Sequence, residues 1–179
     1  ENIPKSLKDM FPMYISGNSK RIEIEKINGI TVTELYLSEM LNKDTLIHIL
    51  NSIYRIQSTN LNSEGDINLY DNYALKLETR YQNYDYSSFE NSKCVYESLL
   101  KKLTEYEQNK LGKLTVIHGD PVFTNIIIND YGKIKFIDMR GRLGDKLTIF
   151  GDWLYDWAKV YQSIIGYDEI LTWVFCLLE

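Results

Sequence analysis

The most informative segment of the chain runs from Thr115 to Gly141 and reads TVIHGDPVFTNIIINDYGKIKFIDMRG. Its apolar runs have the length of short buried strands, and Asp130-Tyr131-Gly132 between the last two is a turn signal. The pattern predicts three strands, the last two paired as an antiparallel hairpin, at 114–117, 125–129 and 133–137. The polar residues between these runs are typical either of turns or of a loop that presents reactive groups.

The predicted hairpin brings two polar side chains together. If the turn centres on Tyr131-Gly132, residues equidistant from it face each other, which places Asn125 opposite Asp138. A slip of one residue would move one of them to the other face. Carboxylate and amide oxygens are ligands that suit Mg²⁺, an ion that usually shares its ligands with substrate phosphates. Asp120, in the preceding loop, could accept a proton from an attacking hydroxyl, a division of roles used in phosphoryl transfer.

Outside this stretch the chain is mainly helical. Residues 21–27 alternate polar and apolar side chains, which predicts a half-buried strand. Asp44 is a plausible N-cap for a helix that ends near Gln57, with Leu46, Ile49, Leu50, Ile53 and Tyr54 on its apolar face. Further helical patterns occupy 70–86, 90–108, 150–165 and 168–178. The prediction is an α+β chain, a helical body that carries a small functional hairpin.

Composition excludes some classes of partner. The chain has 179 residues and a formal net charge of −5, and no basic stripe is available to neutralise nucleic-acid phosphates. The longest strongly apolar run, 171–178, is too short to cross a bilayer. No charged-then-apolar leader opens the sequence. We therefore expect a cytoplasmic protein that binds neither nucleic acid nor membrane.

Three ordered segments resemble one family. HGDPVFTN at 118–125 resembles the His-Gly-Asp-x-x-x-x-Asn motif of the aminoglycoside phosphotransferase and choline kinase group, which has a protein-kinase-like fold. FIDMRGRLGD at 136–145 resembles the segment that carries the second magnesium ligand of that group, and GDWLYDWAK at 151–159 its following Gly-Asp-x-x-x-Asp motif. More weakly, 22–36 is similar to the last strand of the N-terminal lobe, the hinge and the next helix.

The resemblance implies a reaction and its residues. Asp120 would be the catalytic base, and Asn125 and Asp138 would bind Mg²⁺. The phosphate donor would be ATP or GTP, its base beside the hinge at 25–28, which includes Glu25 and Ile27. The acceptor would be a hydroxyl of a small molecule: an aminoglycoside, choline, an amino alcohol or a sugar.

Other residues would support the site. The resemblance gives His118 the task of holding the catalytic loop in shape, and Asp152 and Asp156 a structural role. Arg140 and Arg142 flank Asp138 and either contact phosphate or balance the acids.

One departure from the family pattern concerns the N-terminus. Neither a glycine-rich loop nor a strand lysine precedes Arg21. We therefore expect residues 1–27 to be a remnant of N-lobe strands leading to the hinge, and 28–179 to form the helical C-terminal lobe with the catalytic and metal-binding loops. Alone, these residues are expected to fold without activity, and the strand at 21–27, lacking sheet neighbours, would invite self-association.

Two other functions stay open at this stage. The chain could be a nucleotide-binding or regulatory module without catalysis, or a magnesium-dependent phosphohydrolase with Asp120 as nucleophile.

Overall fold

The computed structural model describes residues 3–63 and 66–176, with side chains described as far as Thr172. Strands and helices follow each other in runs along this part of the chain, and all strand pairs in it are antiparallel. The strands are β1 (Tyr14–Gly17), β2 (Ile22–Ile24), β3 (Gly29–Thr31), β4 (Leu114–Val116), β5 (Ile126–Asn129), β6 (Ile134–Phe136), β7 (Arg142–Leu143), β8 (Lys146–Leu147) and β9 (Phe150–Asp152). The α-helices are α1 (Val32–Leu37), α2 (Lys43–Gln57), α3 (Ala74–Asn83), α4 (Ser92–Gln108), α5 (Trp153–Ile164) and α6 (Tyr167–Cys176). The predicted mixture of helix and small sheets is confirmed.

The hairpin forms, but its register differs from the prediction by one residue. β5 pairs with β6 so that Ile126 faces Phe136, and the backbone N–H of Ile137 donates to the carbonyl of Asn125. Asn125 therefore lies opposite Ile137, not Asp138. The reason is the length of the turn: the Asn129 N–H donates to the Lys133 carbonyl, so the loop has three residues and is centred on Tyr131 alone, whereas the prediction centred it on Tyr131-Gly132. In addition, 123–125 forms a 3₁₀ turn and Asp138 has a φ of +57°, so neither Asn125 nor Asp138 has strand geometry.

A single hydrophobic core joins the hairpin to the helices and to the N-terminal segment. A 3₁₀ helix at Lys5–Met10 buries Leu7 and Met10, and Phe11 follows them into the core. The Phe11 ring lies parallel to the His118 ring, with centroids 6.1 Å apart. Phe11 thus packs the N-terminal segment against the loop that begins at His118.

Helix α2 ends at Gln57 as predicted, but it begins earlier than expected. Its N-cap is Asn42, whose side chain accepts the Thr45 N–H, so Asp44 lies in the first turn and is not the cap. Ile49 and Ile53 are buried as predicted, but Tyr54 is 65% exposed and Ile56 is buried.

The helix predicted from residue 150 begins three residues later. Phe150–Asp152 is strand β9, which pairs with β4, and Asp152 is the N-cap of α5. Gly151 leaves room at this crossing for the side chain of Ile117, whose Cδ1 would lie 2.3 Å from a Cβ there. This strand fixes the start of α5 against the strand that leads into the catalytic loop.

The N-terminal strands form a hairpin of their own. β2 is shorter than predicted and pairs with β1, and the Glu25 N–H extends the ladder by donating to the Met13 carbonyl. The expectation that the strand would have no sheet neighbour is therefore wrong. Self-association through this segment stays a prediction.

Helices α3 and α4 pack against each other at one side of the molecule. Neither contains a fully buried residue, so the apolar face predicted for α4 is only partly covered. Val95 and Leu99, for example, are 55% and 45% exposed. Within the described part of the chain, no helix is both long and apolar enough to cross a membrane.

Candidate active site

The loop at residues 118–125, which the sequence predicts to be catalytic and which is called the catalytic loop below, connects β4 to β5 and is bonded to helix α5. The buried carboxylate of Asp156 accepts the backbone N–H groups of His118 and Gly119, each at 2.8 Å. Further along, the Phe123 N–H donates to Oγ of buried Ser163 at 3.0 Å. These hydrogen bonds fix the backbone conformation of the loop, because a buried N–H group without an acceptor costs free energy.

At Gly119 the backbone of the loop approaches Arg140 closely. Its φ is +85°, and a Cβ there would lie 2.7 Å from Cβ of Arg140. The close approach is held by the Arg140 N–H, which donates to the His118 carbonyl at 3.0 Å. Any side chain at Gly119 would therefore displace the segment that follows β6.

His118 is fully buried and positions the loop through both ring nitrogens. Nε2 lies 3.0 Å from the Ile137 carbonyl, and Nδ1 accepts the Asp120 N–H at 3.2 Å. A carbonyl can only accept, so Nε2 carries the proton and the ring is neutral. Burial also lowers the pKa of His118 to about 4, while burial raises the pKa of its neighbour Asp156 to about 6. The histidine links the two strands of the site and does not face the cavity described below.

Asp120 lies between two positively charged side chains. Its Oδ1 is 2.9 Å from the Lys159 ammonium and 3.8 Å from the Arg140 guanidinium. The Lys159 contact is an ion pair without the angle of a directed hydrogen bond. Arg140 is itself held by Tyr155, whose hydroxyl accepts from the guanidinium and whose ring lies 4.9 Å from it. Asp120 is thus placed by its neighbours and remains partly exposed.

The two predicted metal ligands flank the hairpin. The Asn125 side-chain amide donates to the Asp120 carbonyl at 2.9 Å, which leaves its Oδ1 available. Asp138 is exposed, and its carboxylate has no hydrogen-bond or ion-pair partner among the described residues. In 3–63 and 66–176, no three His, Cys, Asp or Glu side chains converge as a complete metal site. Asn125 and Asp138 would provide only two protein ligands to a metal ion. Phosphate oxygens of a bound small molecule would have to complete its coordination.

Asp138 lines an apolar cleft of about 350 Å³. One side is formed by Tyr14, Ile22 and Ile24 of the β1–β2 hairpin, and the other by the segment around Ile137 and Met139. Ile22 is 68% exposed, so its side chain offers apolar surface at the mouth of this cleft.

The predicted hinge lies beyond β2. The side chain of Glu25 accepts the Met13 N–H at 3.0 Å, so it braces the β1–β2 hairpin. Ile27, in the extended link to β3, makes no backbone hydrogen bond to another described residue. Its N–H and carbonyl are therefore free to pair with a ligand.

A larger cavity of about 610 Å³ opens at Asp120. Helices α3, α4 and α5 form its walls, and Asp120 is the only carboxylate that lines it in the described part of the chain. The basic and aromatic side chains that line it are Lys76, Arg80, Arg140, Lys159, Tyr73, Tyr106 and Tyr155.

Asp152 holds the walls of this cavity together. Its buried Oδ2 accepts the hydroxyls of Tyr73 on α3 and Tyr106 on α4, at 2.7 and 2.8 Å. Its Oδ1 accepts the Lys113 and Leu154 N–H groups. The negative charge and burial raise the pKa values of both tyrosines far above the ordinary value. One carboxylate therefore joins three helices.

Sequence reasoning missed Lys159 and the α3 wall. Lys159 could have been found, because Asp156, Lys159 and Ser163 are spaced by three and four residues and share one face of α5. All three contact the catalytic loop. Lys76 and Arg80 are also one turn apart, but nothing in the sequence indicates that α3 lies against Asp120.

Comparisons with known proteins give the fold. No protein-family model and no curated protein sequence matches the chain. Solved structures do match: LicA in complex with AMP, with a TM-score of 0.55 and 16% sequence identity, and choline kinase LicA from Streptococcus pneumoniae, with 0.55 and 18%. Each match covers 89% of this chain, and 52% and 53% of the two structures. The chain has a choline kinase-like fold and spans about half the length of these structures.

Proposed function

We propose that this chain carries the catalytic centre of a magnesium-dependent phosphotransferase, which moves the γ-phosphate of ATP or GTP to a hydroxyl of a small molecule. The observation that carries the proposal is the position of Asp120, in the wall of the 610 Å³ cavity and in a loop fixed by α5. The apolar cleft at Asp138 provides a separate place for a nucleotide. The fold shared with a choline kinase supports the same reaction class.

Asp120 serves as the general base in this proposal. It accepts the proton of the acceptor hydroxyl while that oxygen forms a bond to the γ-phosphorus. The bond from this phosphorus to the β–γ bridging oxygen breaks, and the nucleoside diphosphate leaves with the electron pair. Lys159 and the bond from Asn125 to the Asp120 carbonyl keep the base in place during this step.

The side chains fit a magnesium ion in their chemistry. Asn125 has an amide oxygen without a hydrogen bond, and Asp138 a carboxylate without a partner, in the described residues. Hard oxygen ligands of this kind suit Mg²⁺. When bound, the ion would neutralise charge on the nucleotide phosphates.

The nucleotide base would lie in the cleft beneath the β1–β2 hairpin. Ile22 and Ile24 offer it an apolar surface, and the free backbone groups of Ile27 offer hydrogen bonds. In this proposal residues 1–27 belong with the strands that cover the nucleotide, and 28–179 form the helical lobe.

The test is transfer to a defined acceptor. Full-length protein is incubated with Mg²⁺ and γ-labelled ATP or GTP, and a panel of small alcohols, amino alcohols and sugars is analysed for a phosphorylated product by mass spectrometry. Label in an acceptor supports the proposal. Release of inorganic phosphate at the same rate without acceptor would favour a phosphohydrolase, and binding without turnover on any acceptor would favour a non-catalytic module.

A further inference from the structure

The side chains that line the cavity at Asp120 carry an excess of positive charge. Four cationic side chains line it, on α3, on α5 and after β6, against the single carboxylate of Asp120. The chain as a whole has a net charge of −5, so this local excess of positive charge runs against the average. A cleft lined by one sign of charge concentrates ligands of the opposite sign.

Two of the four cations are not needed by Asp120. Lys159 and Arg140 lie within 4 Å of its carboxylate and are paired with it. Lys76 and Arg80 are one turn apart on the same face of α3, and no carboxylate of the described residues lies within ion-pair distance of either. Solvent-facing cationic side chains on a helix are common. Lys76 and Arg80, however, border the cavity that contains Asp120, and together they form a surface that suits an anion.

The aromatic part of the same cavity does not provide a place for a cation. A quaternary amine is usually bound against open aromatic faces. Here the ring of Tyr155 is covered by the guanidinium of Arg140 at 4.9 Å. The ring of Tyr73 packs edge-to-face against that of Tyr106, with centroids 5.9 Å apart, and also stacks on Tyr155, with centroids 6.2 Å apart. A bound cation would therefore meet Arg140 before it reached Tyr155.

We infer that the acceptor is a small hydroxyl compound that carries a negative charge, a carboxylate or a phosphate monoester, bound by Lys76 and Arg80. This inference rests on the proposed phosphotransferase function. The anionic end of the acceptor lies at α3, and its hydroxyl lies at Asp120. The volume of about 610 Å³ is that of a site for a metabolite-sized molecule.

The experiment compares acceptors that differ in charge. Glycerol, glycerate, glycerol 3-phosphate and choline are offered to the full-length protein with Mg²⁺ and ATP or GTP, and kcat/KM is measured at low and high salt. We expect glycerate or glycerol 3-phosphate to exceed glycerol by about tenfold or more at low salt, and the advantage to shrink as salt screens the charges. The better of the two anions identifies a carboxylate or a phosphate. Preference for choline over glycerol would overturn the inference.

Charge reversal on α3 gives the matched variants. Lys76→Glu/Arg80→Glu should lower kcat/KM for the anionic acceptor by about tenfold or more and leave nucleotide affinity unchanged. Lys93→Glu/Lys102→Glu, with the same change of charge on exposed positions of α4 outside the cavity, should have little effect. Equal effects of the two double variants would contradict the inference.

Equilibrium binding separates this inference from the proposed function. Should the wild type transfer phosphate to no acceptor of any charge, the phosphotransferase proposal fails, and calorimetry with glycerate and with glycerol 3-phosphate then decides the inference alone. Binding that is lost in Lys76→Glu/Arg80→Glu and kept in Lys93→Glu/Lys102→Glu supports an anion site. Absence of binding, or binding that both double variants retain, refutes it.

Discussion

The ammonium group of Lys159 lies 2.9 Å from Oδ1 of Asp120 and joins the centre of α5 to the catalytic loop. Asp156 and Ser163, on the same face of the helix, hold the backbone of that loop. Helix α5 therefore positions both the loop and the side chain that the proposal makes the base.

Lys159 is a positioning residue in this account. Lys159→Met should lower kcat by roughly 10- to 100-fold, because small displacements of a reacting group have effects of this size. Lys159→Arg should restore part of the loss, since it keeps a cation near Asp120. Steady-state kinetics provide the measurement, with exposed Lys102→Met as the control. A rise in KM alone, with kcat unchanged, would contradict the assignment.

Asp138 should contribute more to metal-dependent nucleotide binding than Asn125. Asp138→Ala removes a full negative charge, whereas Asn125→Ala removes a neutral oxygen and the bond to the Asp120 carbonyl. We expect Asp138→Ala to abolish most of the affinity that Mg²⁺ adds, and Asn125→Ala to lower both this gain and kcat. Calorimetry with ATP, with and without Mg²⁺, measures the gain. An unchanged magnesium effect in Asp138→Ala would show that the carboxylate does not face the ion.

The loop contains two buried groups whose protonation affects stability in opposite directions. The pKa of His118 is lowered to about 4 by burial, so between about pH 4 and 6.5 the unfolded chain binds more protons and stability rises with pH. The pKa of Asp156 is raised to about 6 by burial, so between pH 3.8 and about 6 the folded chain binds more protons and stability falls with pH. The two contributions largely cancel in the native protein.

Asp156→Asn should remove the opposing contribution of Asp156, so that the effect of His118 on the pH dependence of stability can be measured. We expect the free energy of unfolding of this variant to rise by up to about 3 kcal/mol between pH 4 and 6.5, a steeper rise than in the wild type. Denaturant titrations at three pH values within this window measure it. The exposed residue His48 supplies the control, since His48→Gln should leave the wild-type profile in place. Parallel profiles for wild type and Asp156→Asn would refute the linkage.

The hydrogen bonds of Tyr73 and Tyr106 to Asp152 should contribute to stability as one cooperative unit. Tyr73→Phe and Tyr106→Phe each remove one hydrogen bond to the buried carboxylate, and each should lower the free energy of unfolding by about 1–3 kcal/mol. Their effects should be non-additive because both hydroxyls donate to one oxygen. Thermal or denaturant unfolding checks this prediction. Tyr81→Phe, on the same helix as Tyr73 but with no hydroxyl bond to a described residue, is the control and should be near neutral.

Local signals made the hairpin and the catalytic loop predictable from the sequence. The turn at Asp130-Tyr131-Gly132 forms as expected, with Oδ1 of Asn129 accepting two backbone N–H groups around it. The register was missed by one residue because the loop contains three residues and is centred on Tyr131, and a turn signal in the sequence does not fix the length of the loop.

Long-range contacts explain what the sequence could not predict. Helical periodicity places Lys76 and Arg80 on one face of α3, but the partner of that face depends on Tyr73 reaching Asp152 from a distant part of the chain. The burial of Leu7, Met10 and Phe11, the last of them against His118, depends likewise on packing against the hairpin. Both contacts join residues that are far apart in the sequence, so no short segment of sequence can predict them.

The most direct test of the central claim is a single-turnover measurement on Asp120→Asn. The substitution keeps the size of the side chain and removes the base, while the bonds from Asp156 and Asn125 act on backbone groups and remain. In the full-length protein, with nucleotide and the best acceptor at saturation, we expect the rate of transfer to fall by about 10²-fold or more. The dissociation constant for the magnesium–nucleotide complex should be little changed. A rate within a few fold of the wild type, at unchanged nucleotide affinity, would contradict the assignment of Asp120 as the base.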